Sequence, residues 1–194
     1  PIESLTPDMA KAAELAITEV NNSGKFIAKK VEGVRGDSTC VDAASATSVA
    51  ERLITSDKIK AIVGADCSGV TTAILQNVAM ANGIAMISPS ATSPALSDLP
   101  DNDLFFRTAP SDARQGVIIA ELLLQKGFKT AAMTYTNNDY GKGLADSIQK
   151  NYESRGGKIT ISASHEDGKG DYGAESGALA QAGGDILIVA GYLD

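Results

Sequence analysis

Between Val63 and Thr92 the chain reads VGADCSGVTTAILQNVAMANGIAMISPSAT: a short apolar run, a stretch of helical composition, and a second short apolar run. Two strands joined through a helix suit a parallel pair, because parallel strands need a long crossover connection whereas a tight turn suffices for an antiparallel one. The same rhythm runs along most of the sequence. Thr6 and Pro7 form a cap and first-turn pair, after which Met9, Ala12, Ala13, Ala16 and Val20 recur at helical spacing until Asn22 and Gly24. A short strand is expected in KKVEGVRGDS, ending near Asp37, and an alanine-rich helix in VDAASATSVAERLITSD. The strand KAIVGAD, a helix from about Gly69 to Ala81 and the strand IAMIS follow. Later come LFFRTA, a helix over Asp112–Gln125, TAAMTYT, a helix over Gly141–Ser154, KITISAS, a helix over Tyr172–Gln181, and DILIVAGY. Strands alternating with helices predict the α/β class, with parallel sheet covered by helices on both faces.

The one long irregular connection runs from Pro89 to Pro110 and holds Pro94 and Pro100 as well. A boundary near Pro110 is expected there, giving a first lobe over residues 1–109 and a second over 110–194. The opening PIESLTPDM reads as the interior of something longer. The chain also stops at Asp194 directly after a strand, so incompleteness is expected at both ends.

Charge and apolar content exclude some partners. Seventeen Lys and Arg against 24 Asp and Glu leave a net charge of -7, with the cations scattered, which is a poor surface for nucleic acid. The longest aliphatic stretch, Val117 to Leu124, is broken by Glu121 and is far short of the roughly 20 apolar residues that a membrane helix needs. Cys40 and Cys67 form neither a CxxC pair nor a zinc set. They are either two unrelated buried thiols or a disulfide. A disulfide would add roughly 3 to 4 kcal/mol and imply an oxidising compartment.

In an open parallel sheet, ligands settle beyond the carboxyl ends of the strands. Ser68 sits at such an end. It is read as the N-cap of the helix that follows, where a hydroxyl and the free N–H groups of a first turn can hold a carboxylate; taken alone, it only caps its own helix. SPSAT places Ser90 and Thr92 after the adjoining strand, where hydroxyls can accept from an ammonium and donate to a carboxylate. Two such loops on neighbouring strands suit a zwitterion. Tyr140 and Tyr192 follow later strands and are either contacts at the same edge or surface rings packed on loops.

Enzyme signatures are sparse. There is no GxSxG elbow, no phosphate-binding loop and no GxGxxG. His165, the sole histidine, is expected to be an exposed strand-end residue. DGKGDYG places Lys169 where a calcium loop needs an oxygen ligand, so Asp171 is expected to cap the next helix; Asp101–Asp103 reads as a solvated loop. No metal and no cofactor are expected.

The pieces ELAITEVNNSG, VRGDSTCVDAA, IVGADCSGVTTA, MISPSAT, LFFRTAPSDARQG, NNDYGKGLADSI and ILIVAGY, in that order and spacing, resemble the type I periplasmic solute-binding proteins of ABC importers, nearest to the Leu/Ile/Val-binding group. The likeness extends over essentially the whole chain. It matches the family's first lobe without its initial strand and part of the second. The resemblance implies a two-lobed fold that closes on a small-molecule ligand, no catalysis, a membrane permease as partner, and a periplasmic location. It also implies a Cys40–Cys67 disulfide, ligand binding by Ser68, Ser90, Ala91 and Thr92, and contacts from Tyr140 and Tyr192 on closure. Three departures from the branched-chain pattern argue for a more polar amino acid or a small carboxylate. Ser90 replaces an alanine, Asp66 places a carboxylate beside the pocket, and Leu5 stands where an aromatic can line it. The competing expectations are a ligand-sensing domain of a signalling receptor and a small α/β enzyme with Cys67 as nucleophile.

Overall fold

The computed structural model describes Ser4, residues 6–25 and residues 30–192. Leu5, expected beside the pocket, lies outside them. The chain divides into two compact units, one of residues 1–91 with 101–108 and the other of residues 92–100 with 109–194. The short segment 92–100, expected with the first lobe, thus clusters with the second unit.

The first unit contains α1 (Thr6–Asn22), α2 (Ala43–Thr55), β1 (Ala61–Val63), α3 (Ser68–Ile74), β2 (Ala85–Ser88) and β3 (Phe105–Arg107). α3 runs on without a break through a π-helical stretch, Leu75–Ala79, into a last turn, α4 (Met80–Asn82), which Gly83 ends in the left-handed conformation. The three strands pair in parallel in the order β1-β2-β3, with Val63 opposite Ile87 and Ile87 opposite Phe106. Ala46 and Ala50 of α2, Val70, Ile74, Leu75 and Val78 of the helical run, and Met86 of β2 are buried. Val63, Ile87 and Phe106 form a row across the opposite face and are exposed.

The strand expected near Asp37 is not formed: residues 30–39 carry no regular structure. A strand needs a neighbour to take its backbone bonds, and here a side chain takes that place. The Asn21 amide donates to the Val31 carbonyl at 2.9 Å and accepts its N–H at 2.8 Å.

The second unit contains α5 (Asp112–Gln125), β4 (Thr130–Thr136), α6 (Asp139–Glu153), β5 (Lys158–His165), α7 (Gly173–Ala182) and β6 (Ile186–Ala190), with parallel strands in the order β5-β4-β6. Ala131 and Met133 of the central strand pack against α5 and α6 together with Ala120, Leu123, Leu144, Ile148 and Tyr152. The two helices cross closely because Gly116 lies against Ser147, where a Cβ would come within 2.7 Å of backbone carbon. β5 carries a bulge: Ala131 pairs with Ile159 and Ala132 with Ile161, leaving Thr160 between them. The Thr160 hydroxyl lies 3.3 Å from the Ala131 carbonyl and 2.5 Å from that of Gly183.

Asp185 joins the start of β4 to the start of β6, its Oδ2 accepting from the Lys129 and Thr130 N–H groups at 2.7 and 2.9 Å. These bonds hold its carboxyl below the usual range. The stabilisation is therefore present above the unfolded carboxylate pKa, about 3.9, and is lost as pH falls through the lower folded value. In melting curves between pH 6 and 2.5, the gap between the wild type and Asp185→Asn should be widest at the upper end and shrink on acidification. A gap independent of pH would contradict this.

Candidate ligand-binding site

In the first unit the loops after β1 and β2 are stitched together. The buried Ser88 hydroxyl donates to the Ala65 carbonyl at 2.5 Å and accepts the Ala91 N–H at 3.0 Å. The Ser90 hydroxyl donates to the Asp66 carbonyl at 2.8 Å, so its remaining capacity is as an acceptor. Thr71 bonds back to the Ala65 and Cys67 carbonyls at 3.1 and 2.9 Å. Ala91 is fully buried, and its carbonyl accepts from Arg107 at 3.2 Å. Ser68, Ser90 and Ala91 are thus held on one loop pair at the carboxyl ends of adjacent strands.

Ser68 is not the N-cap expected of it. Cys67 occupies the cap position with extended backbone, and Ser68 is the first helical residue, only 2% exposed. The half-cystine cannot cap through its side chain, because that side chain is bonded to Cys40 with the two Cα atoms 5.3 Å apart. This linkage removes the thiol that a Cys67 nucleophile requires. Asp66 is half-buried and has no salt bridge among the described residues, and burial pushes its pKa up.

Thr92 begins the segment that clusters with the second unit, and its carbonyl accepts the N–H of the buried Asp112 at 2.9 Å. Tyr140, in the first turn of α6, and Tyr192, just after β6, stack with ring centroids 5.3 Å apart and planes at 26°. Burial raises both phenols, with the Asp112 charge adding to the effect on Tyr140, and Tyr192 is pushed up to about 12. Each phenol therefore keeps its proton at neutral pH.

His165 is not the exposed residue expected: its side chain is 13% exposed, with Nδ1 2.8 Å from the Thr134 hydroxyl and Nε2 3.9 Å from Asp167. Asp171 accepts the Gly173 N–H at 2.9 Å, although Tyr172 is the N-cap residue of α7. Asp101 is engaged by its own turn, accepting from the Asp103 and Phe105 N–H groups at 3.0 and 3.2 Å. Sequence reasoning missed Asn138, the N-cap of α6, and Ser88. An asparagine ahead of a helical run is a cap signal, and NNDYG carried it.

Two units of parallel sheet flanked by helices, one with serines at its strand ends and the other with paired tyrosines, match the type I periplasmic-binding-protein fold. The chain belongs to the receptor family ligand binding region, matched over residues 8–182. It is 31% identical over 187 residues to the leucine-, isoleucine-, valine-, threonine-, and alanine-binding protein of Pseudomonas aeruginosa, covering 95% of this chain and 49% of that protein. It is 34% identical over 185 residues to Leu/Ile/Val-binding protein homolog 1 of Brucella melitensis, covering 93% and 48%. Among solved structures, it superposes with a TM-score of 0.78 and 33% identity on a branched-chain amino acid transporter substrate binding protein from Streptococcus pneumoniae in complex with isoleucine, covering 94% of this chain and 51% of that one. The chain therefore spans about half the length of the relatives it matches. These relatives are binding proteins rather than enzymes, and they lend no support to the signalling-receptor alternative.

Proposed function

We propose that the natural protein containing this chain is an extracytoplasmic solute-binding component of an ABC importer, taking up an amino acid or small carboxylate and delivering it to a membrane permease. The observation that carries this reading is the loop pair of the first unit. Ser68 opens a long helical run beside a disulfide-anchored cap, and hydroxyl bonds tie that cap's loop to Ser90 and Ala91. The N–H groups of a first helical turn lack helical partners and favour an anion, so the ligand carboxylate belongs at Ser68, assisted by Thr92. Ser90, with its proton already given away, suits the ammonium. Tyr140 and Tyr192 of the second unit meet the ligand in the closed form, which ligand binding populates and the permease reads. The disulfide fits an oxidising, periplasmic setting.

Calorimetry on the intact natural protein tests this with L-leucine, L-threonine, L-glutamate, L-arginine and benzoate. Removing one hydrogen bond to a charged group costs about 1.5–3 kcal/mol, so Ser68→Ala should weaken the bound ligand by roughly 10- to 100-fold. Binding of no panel member, or an unchanged affinity in Ser68→Ala, would overturn the assignment.

A further inference from the structure

Asn138 joins both tyrosines through one side chain. Its Oδ1 accepts from the backbone N–H groups of Tyr140 and Gly141 at 3.0 and 3.1 Å. Two backbone donors on the same atom settle which way the amide faces. The other atom, Nδ2, is then directed at the Thr136 hydroxyl, 3.2 Å away, and the Tyr192 hydroxyl, 3.4 Å away. An amide nitrogen only donates, so both hydroxyl oxygens receive. Thr136 passes its own proton to Asp167 at 2.5 Å. Gly141 lies so close over the same strand end that a Cβ there would come within 2.2 Å of the Thr136 carbonyl, which holds the start of α6 against β4. Among the described residues no acceptor takes the Tyr192 proton.

We propose that Asn138 is a positioning residue that turns Tyr192 into a hydrogen-bond donor, so that the group Tyr192 meets on the ligand is an oxygen acceptor such as a carboxylate, carbonyl or hydroxyl. The proposal rests on the reading of Tyr192 as a ligand contact. Tyr192 keeps its proton to high pH, with burial the main cause, so it can serve as a donor throughout the physiological range.

Asn138→Asp separates this role from capping. Aspartate still accepts the two backbone N–H groups, but it presents an acceptor to Tyr192, whose hydroxyl then donates to it. In the ligand-free protein, the Raman tyrosine doublet reports whether a phenol donates or accepts, and subtracting the Tyr192→Phe spectrum isolates this residue. Asn138→Asp should move the Tyr192 signal toward a strong donor, whereas a purely capping Asn138 would leave it in place. Calorimetry with each panel member that binds completes a cycle. Asn138→Asp and Tyr192→Phe should each weaken binding about 10-fold, and the double variant should be no weaker than Tyr192→Phe alone. Additive losses or an unmoved Raman signal would overturn the proposal. If no panel member binds the natural protein, the ligand half falls with the functional reading, while the Raman comparison still decides the orientation of the amide.

Discussion

Alanine at Tyr152 should destabilise the chain by about 3–5 kcal/mol, lowering its melting temperature by roughly 6–20 °C. The Tyr152 ring is completely buried among Ala120, Leu123 and Ala131, with Phe128 and Ile159 against the same cluster. Its hydroxyl donates to the Phe128 carbonyl at 3.0 Å, across the turn that leads from α5 into β4. Gly157 approaches the ring so closely that a Cβ there would lie 2.5 Å from its carbons. Truncation removes the ring and leaves a part-buried carbonyl without its donor, and the two losses add. Tyr152→Phe keeps the ring and loses only the bond, about 1 kcal/mol. Thermal melting followed by circular dichroism distinguishes them; equal losses for the two variants would mean that the cavity closes or that the ring is not what fills it.

The second large effect belongs to the Cys40–Cys67 disulfide. The two half-cystines are 27 positions apart, and both are buried, at 4% and 5% exposure. Closing a loop of that length constrains the unfolded chain by roughly 3–4 kcal/mol. Reduction, or serine at both positions, should therefore lower the melting temperature by roughly 6–16 °C. The damage should also reach the candidate site, because Cys67 is the cap residue from which α3 departs and Ser68 is its neighbour. A melting curve indifferent to reductant, or two thiols that titrate freely without it, would contradict the linkage.

The pattern of the chain made most of the fold legible. α5 and β4 match the expected limits residue for residue, because Ser111 caps the helix and Gly127 and Lys129 separate a clean helical period from an apolar run. The segment ahead of Asp37 misleads because its composition suits a strand, while pairing is a property of neighbours, and at Val31 the Asn21 side chain takes both backbone bonds. The start of α3 was misplaced by one residue: serine is the better cap by type, but the disulfide draws Cys67 into that position. Asp66, Ser68, Ser90 and Thr92 were readable as strand-end residues. That the Ser90 hydroxyl donates to the Asp66 carbonyl and that Asn138 spans both tyrosines follow only from how the loops fold together. His165 was misjudged for a similar reason, since its neighbours Thr134 and Asp167 come from a different strand and from the following loop.

The extra residue in β5 acts on the strand as a frameshift acts on a message. Past Thr160, Thr136 is matched with His165, which brings the imidazole to the side shared by Thr134. Were β5 to pair without the bulge, Thr160 would lie opposite Ala132 and Ser164 opposite Thr136, with the imidazole turned to the reverse side of the sheet. The polar assembly beyond β4 therefore depends on a register set several positions upstream, where the Thr160 hydroxyl meets the Ala131 and Gly183 carbonyls.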